Sequence, residues 1–157
     1  MANVDIVHYS EEITAELMSL LLAADPDEGS ILAYLPDSPV LVAKEGGSVV
    51  GVAVLVNTSK EFELKNIAVS EEHQGRGVAK RLIKEVKALA ISMGAEELLV
   101  GTGNSSLSQL ALYQKCGFRM SHIERDYFLS YPEPIYENGM QCRDLVVLRA
   151  KLGEYTD

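Results

Sequence analysis

Gln74, Gly75, Arg76, Gly77 and Ala79 crowd into the turn "QGRGVA" just ahead of an amphipathic run, and that spacing could hold an anion. Gly75 and Gly77 let the backbone take positive φ and approach a ligand closely. A helix that opens near Val78 points its unpaired N–H groups and the positive end of its dipole into the same turn. Phosphate is the natural occupant of such a place. Arg76, Lys80 and Arg81 add local positive charge. The bland reading of the same residues is a glycine turn with solvated basic side chains. A nucleoside triphosphate loop would need G-x-x-x-x-G-K-[ST], which the chain lacks. A dinucleotide fingerprint would need a third Gly or Ala where Lys80 stands, and "SEEHQ" separates the preceding strand from the first glycine.

The elements around this turn follow from periodicity. Val4 to Tyr9 alternate as a first strand, Ser10 offers an N-cap to a helix carrying Ile13, Leu17, Leu20 and Leu21, and Pro26 closes that helix. A short helix around Ser30 to Leu35 precedes a strand from Val40 to Ala43, and "EGG" turns the chain into "SVVGVAVLV". Phe62 to Val69 is a further strand. Val78, Leu82, Ile83, Val86, Leu89, Ala90 and Met93 recur at helical spacing, with Gly94 placed to end the run. "ELLVGTG" is a strand, "SSLSQLALYQKCG" a helix, and "FRMSHI" and "DLVVLRAKL" two more strands. Strand, helix, strand around the glycine turn predicts parallel neighbours joined by a crossover, while the hairpins of the first half predict antiparallel pairing.

Composition narrows the function classes. The 157 residues are most simply one domain, and 14 Lys+Arg against 23 Asp+Glu give a formal net charge of −9, which repels a polyphosphate backbone. Nucleic acid is therefore a poor partner; a cationic amine suits the charge better, and acidity that serves solubility alone is the other, plainer reading. No apolar run reaches the roughly 18 residues of a membrane span, and "MANVDIVHYS" lacks the pattern of a secretory signal, so a cytoplasmic protein is expected. Cys116 and Cys142 make neither a disulfide framework nor a metal-ligand spacing, and no metal is predicted.

The sequence resembles the GNAT superfamily of N-acetyltransferases. That family's cofactor pattern is Gln or Arg, two residues, Gly, one residue, then Gly or Ala, and Gln74, Gly77 and Ala79 match it after the strand "LKNIAV". "NSSLSQLALYQKCGF", Asn104 to Phe118, is similar to the family's second cofactor segment, an Asn followed by a helix with a Tyr just before a Gly-Phe step. The resemblance implies a single α/β domain over residues 1–157, a central twisted mixed sheet of about six or seven strands splayed in the middle, and helices on both faces. It implies acetyl-CoA as co-substrate, its pantetheine arm against the backbone of Ile67, Ala68 and Val69, and its pyrophosphate wrapped by Gln74, Gly75, Arg76, Gly77, Val78 and Ala79, with Asn104 in the second segment. An N–H near Val69 would polarise the thioester carbonyl.

The same resemblance implies the catalytic groups. Tyr113 matches the family's general acid, and its alternative is an aromatic filling the core beside Leu110. Glu63, six residues before Val69 on the same strand, stands where some members keep a general base; an exposed strand glutamate that is simply solvated is the other reading. His73 is expected exposed on the loop, and His8 and His122 structural. A covalent acyl-enzyme is disfavoured, since there is no G-x-S-x-G elbow and Cys116 sits at a helix end.

"ERDYFLSYPEPIYENGMQCRD", Glu124 to Asp144, is longer than a tight connection requires. Tyr127, Phe128, Tyr131 and Tyr136 could wall an acceptor pocket, with Glu124, Asp126, Glu133 and Glu137 attracting a cationic amine, or the segment is a surface loop pinned by its aromatics. The acceptor is a small-molecule or peptide amine, and a homodimer is compatible with the sequence. A non-catalytic acyl-CoA-binding or regulatory module is the alternative to an enzyme.

Overall fold

The computed structural model describes residues 3–59 and 61–153. The first half contains β1 (Val4–His8), α1 (Ala15–Ala24), α2 (Glu28–Tyr34), β2 (Val40–Glu45) and β3 (Ser48–Asn57). The second contains β4 (Phe62–Val69), α3 (Val78–Ser92), β5 (Glu97–Gly103), α4 (Leu107–Lys115), β6 (Arg119–Glu124), β7 (Ile135–Glu137), β8 (Met140–Cys142) and β9 (Leu145–Lys151). Seven strands form one sheet in the order β1-β2-β3-β4-β5-β9-β6, and β7 with β8 makes a separate hairpin. The predicted mixed sheet is present: β4 and β5 run parallel, and the other neighbours run antiparallel.

Period-two alternation explains why helices cover both faces. On β2 and β3, Val40, Val42, Val52 and Val54 pack with Leu17, Leu21 and Ile31 of α1 and α2. The intervening Leu41, Ala43, Ala53 and Leu55 pack with Leu82, Ile83, Val86 and Ala90 of α3. Both sets are buried, so these central strands read as continuous apolar runs. Each buried Val, Leu or Ile contributes about 1.5–3 kcal/mol, and a one-residue slip would exchange the two faces.

Three local expectations are corrected. The cap of α1 is Thr14 rather than Ser10: its extended backbone lets Oγ1 accept from the Leu17 N–H at 3.1 Å, and Ile13 lies ahead of the helix, 37% exposed. Met93 is the C-cap of α3 rather than a core position, and is 41% exposed. The stretch from Glu124 to Asp144 is no plain loop. It holds a 3-10 turn at Tyr127–Ser130 and the β7–β8 hairpin, closed by Asn138 and Gly139 with φ of 53° and 76°, the Asn-Gly pair that two-residue hairpins favour.

Two irregularities position the site. Opposite β3, Val54 pairs with Asn66 and Leu55 with Leu64, which leaves Lys65 as an extra residue bulged out of β4. On its other side β4 pairs with β5 only through Glu63 with Leu99 and Leu64 with Val100. Beyond Leu64 the two parallel strands part.

Candidate active site

A cleft of about 440 Å³ opens where β4 and β5 diverge. Ile67, Ala68 and Val69 line it from β4, Gln74, Gly75, Gly77, Val78 and Ala79 from the turn and the start of α3, and Ser108, Gln109 and Leu112 from α4. The structure thus brings together eight of the ten residues predicted to hold the cofactor. Lys80 and His73 also line the cleft.

The turn has the backbone that the glycines were expected to supply. Gly75 and Gly77 have φ of 77° and 80°, values that cost an L-residue about 1–2 kcal/mol. Gly77 is also the N-cap of α3 and supplies no side-chain hydrogen bond, so the first N–H groups of that helix stay available to a ligand. Gln74 closes the turn on itself, its Nε2 donating to the Val69 carbonyl at 3.0 Å. Arg76 is exposed and lies outside the cleft lining. His73, expected exposed, is 9% exposed instead. Its partners are Ser70 and, from β2, Glu45; the second lies too far up the chain for sequence spacing to reveal it.

Asn104 is the other predicted residue outside the cleft lining. Its Oδ1 accepts from the N–H groups of Arg143 at 2.8 Å and Asp144 at 3.0 Å, and its Nδ2 donates to the Gln141 carbonyl at 3.1 Å. The side chain is therefore spent on fastening the end of β8 and the start of β9 to the loop before α4. The neighbouring serines do likewise with the hairpin: Ser105 and Ser106 both donate to Glu137, at 3.1 and 2.9 Å.

Tyr113 follows Leu112 on α4 and is 4% exposed, its ring 5.8 Å from that of Phe118 in an edge-to-face arrangement. Burial pushes its phenol well above the usual range, with the Cys116 thiol adding to the effect and no hydrogen bond offsetting it. Both sequence readings are thus partly visible in one residue: a core ring, carrying a hydroxyl that stays protonated. Glu63 sits ahead of the bulge with its side chain 33% exposed. Burial raises its carboxyl above the ordinary value, Lys65 at 3.9 Å opposes that, and Glu61 and Glu124 reinforce it.

Across β4 from α3, a polar cluster gathers under α1 and α2 that sequence spacing did not expose. Asn66, 3% exposed, donates through Nδ2 to the Leu21 carbonyl and to the Tyr34 hydroxyl, both at 3.0 Å. Its Oδ1 is buried and has no partner among the described residues. The Tyr34 hydroxyl donates to Asp25 Oδ2 at 3.4 Å, and Lys65 Nζ lies 5.8 Å from the centre of the Tyr34 ring. Tyr34 is pushed up to about 12, by burial first and then, against the Asn66 hydrogen bond, by Asp25 and Glu63. The Tyr131 phenol is raised too, by burial and then by Asp25, Tyr127, Asp27 and Tyr34. Of the predicted acceptor wall, Tyr131 thus feels the charge of this cluster, whereas Tyr136 is 69% exposed, Glu137 holds the serines, and Glu124 faces His122 at 3.4 Å.

The Acetyltransferase (GNAT) family model matches residues 9–118. An N-acetyltransferase of Bacillus subtilis strain 168, YvbK, whose own role is uncharacterised, is 44% identical over 144 residues, covering 90% of this chain and 93% of the relative. Among solved structures, the IAA acetyltransferase from Bacillus cereus superposes with a TM-score of 0.89 at 48% identity, over 96% of this chain and all of the other. A GNAT family acetyltransferase from Elizabethkingia anophelis, with acetyl-CoA bound, gives 0.90 at 40% identity, over 96% and 99%. A splayed parallel strand pair, an anion-seating turn at a helix start, and this likeness along nearly the full chain agree, and the chain belongs to the GNAT family as an acetyl-CoA-dependent N-acetyltransferase.

Proposed function

We propose that this enzyme transfers acetyl directly to a primary amine that enters beside Tyr34 and Asn66, with Glu63 taking the amine proton and Tyr113 giving one to the departing thiolate. The observation that carries this reading is the end of β4–β5 pairing after Leu64 and Val100, which frees one side of the Ile67–Val69 backbone to pair with an extended amide-bearing arm. The pyrophosphate then meets the N–H groups at the start of α3. Acetyl-CoA supplies an activated thioester; the amine nitrogen bonds to its carbonyl carbon as the C–S bond breaks.

The protein's own task is largely proton management. A primary amine with pKa of about 10.4 is neutral in about one molecule in 2,500 at pH 7. A carboxylate whose pKa is raised, as at Glu63, is a better base than an ordinary one. Tyr113, held protonated by burial, carries a proton for the departing thiolate. On the acceptor side, Asp25 and Glu63 act on Tyr34 together, and the bare Asn66 Oδ1 can take an N–H. These groups favour a cationic small molecule or peptide amine.

Thiol release from acetyl-CoA, measured against a panel of cationic, neutral and anionic amines with a no-acceptor control, tests the reading. Turnover should favour cationic amines and their KM should rise with salt, because partly exposed charges are screened within about 10 Å at 0.1 M. A preference for an anionic acceptor with a salt-insensitive KM would refute the acceptor assignment.

A further inference from the structure

Lys87 is a half-buried cation on α3 to which the transfer chemistry gives no task. Its Nζ donates to the carbonyl of Cys116, the C-cap of α4, and lies 5.2 Å from the centre of the Phe118 ring. Burial pushes the ammonium below the ordinary lysine range, and the Cys116 thiol opposes that shift. Among the described residues no other hydrogen bond joins α3 to α4 or to the turn after it. That turn is closed in a Schellman arrangement: the Phe118 N–H donates to the Tyr113 carbonyl at 3.0 Å and the Gly117 N–H to the Gln114 carbonyl at 3.1 Å, with Gly117 at φ 93°. The Cys116 N–H also reaches the Tyr113 carbonyl, at 3.1 Å. A Cβ on Gly117 would come within 3.3 Å of Lys87 Nζ, so the glycine serves the turn and leaves the ammonium room. Both residues that Lys87 meets, Cys116 and Phe118, are thus bonded to Tyr113, and Phe118 also packs against its ring.

We propose that Lys87 is a positioning residue for the transfer: by holding the Cys116 carbonyl it fixes the end of α4 against α3, and so sets where the Tyr113 hydroxyl stands relative to a thioester whose cofactor is anchored at the start of α3. This rests on the role given to Tyr113 above. Val78 and Lys87 are about 14 Å apart along the axis of α3. One rigid helix therefore carries the seat assigned to the pyrophosphate at its start and the tie to the acid-bearing helix further along. Ser108, Gln109 and Leu112, which face that seat across the cleft, belong to the tied helix. Lys87 is outside the cleft lining and acts through α4.

A cation at a helix C-terminus is favoured by the helix dipole, and a lysine that did no more than cap α4 would support the fold alone. Its loss would lower Tm and leave the rate of the folded enzyme untouched. A misplaced acid behaves differently, because an error of about 1 Å costs up to about a hundredfold in rate. The two cases separate in a double-mutant cycle, since a residue that acts through Tyr113 has nothing left to act on once the hydroxyl is gone.

The test measures thiol release from acetyl-CoA, with the amine that the panel above turns over fastest, in wild type, Lys87→Met, Tyr113→Phe and the double variant. Tm is read on each, and rates are taken well below it. Lys87→Met keeps the apolar stem and loses the donor and the charge; it should lower kcat about three- to thirtyfold and move KM for acetyl-CoA less than about twofold. Lys87→Arg, which keeps both, should restore kcat to within about threefold of wild type. In the Tyr113→Phe background the same Lys87→Met change should cost less than about twofold. Should the methionine variant fail to fold, Lys87→Gln, shorter and uncharged, takes its place in the cycle. An equal loss of kcat in both backgrounds would overturn the proposal, as would a lowered Tm with kcat unchanged, which makes Lys87 a cap and nothing more. Wild-type kcat in Tyr113→Phe sinks the acid assignment and this proposal with it, whereas a slow Tyr113→Phe beside a Lys87→Met at full speed sinks the role of Lys87 alone.

Discussion

Tyr113→Phe should slow the enzyme and leave its stability nearly unchanged. The ring is 4% exposed and its edge-to-face contact with Phe118 at 5.8 Å involves no oxygen, so phenylalanine keeps the packing. Burial dominates the upward shift of the phenol, and no hydrogen bond contributes to it. The Tyr113 hydroxyl is not among the buried side-chain atoms that lack a partner, which are Glu45 Oε2 and Asn66 Oδ1 among the described residues, so its removal relieves no full desolvation penalty. A change within about 0.5 kcal/mol moves Tm by about 2 °C or less in a domain of this size. Catalysis carries the effect. Loss of a general acid should lower kcat by roughly ten- to a thousandfold with little change in KM for acetyl-CoA.

The pH dependence carries a further sign. A phenol whose folded pKa lies above its ordinary 10.0 favours folding of the protonated form, so its contribution is whole below that value and is lost as pH rises toward the folded pKa. Wild type should therefore lose stability above about pH 10 faster than Tyr113→Phe does. Differential scanning fluorimetry across pH, with thiol-release kinetics on the same preparations, reads both effects. A kcat within twofold of wild type would leave Tyr113 a core aromatic and assign the proton to another group or to solvent. A Tm lower by several degrees would show that the hydroxyl makes a stabilising contact and that the stability reasoning is wrong.

Other outcomes follow from the same geometry. Glu63→Gln should depress kcat/KM most at the acid end and recover as pH rises, and the wild-type acid limb should lie above the ordinary carboxylate value of 4.5 because burial raises this carboxyl; a limb unchanged in the variant would remove Glu63 as the base. Asp25→Asn should raise KM for a cationic amine several-fold and leave KM for acetyl-CoA alone, since Asp25 bears on Tyr34 and Tyr131 and lies outside the cofactor cleft lining; equal effects on both substrates in initial-rate kinetics would contradict it.

Where information was local, the sequence carried it. The parallel strands before the turn and after its helix, β4 at Phe62–Val69 and β5 at Glu97–Gly103, lie where alternation and apolar runs put them, and Gly75 and Gly77 have the positive φ that their placement implied. Contacts between distant residues were not legible. His73 looked like a surface histidine because its partner, Glu45, belongs to another strand. Asn104 stood in a cofactor-like pattern, but three of its hydrogen bonds go to residues 141–144. The cluster of Asp25, Tyr34 and Asn66 draws on three separate segments. One missed signal was local: Asn138-Gly139 between short alternating runs announces a hairpin on its own.

Lys65 is where fold and function meet. The extra residue lets Glu63 and Asn66 sit on either side of a break in register, with the one near Leu99 where β4 still pairs with β5 and the other beside Tyr34 past the end of that pairing. Every buried backbone group needs a partner, and past Leu64 β4 has β3 on one side and, among the described residues, no strand on the other. A protein that needed only stability would have continued the ladder to Val69. Leaving it open makes an exposed strand edge, which natural sheets ordinarily pair or cover, and here the cleft floor at Ile67–Val69 is that edge. On the proposed function, a ligand with amide groups along an extended arm supplies what the missing strand would have, and the same opening admits an amine from the α1–α2 side. On that reading the bulge sets both the direction of the cofactor and the meeting point of the two substrates.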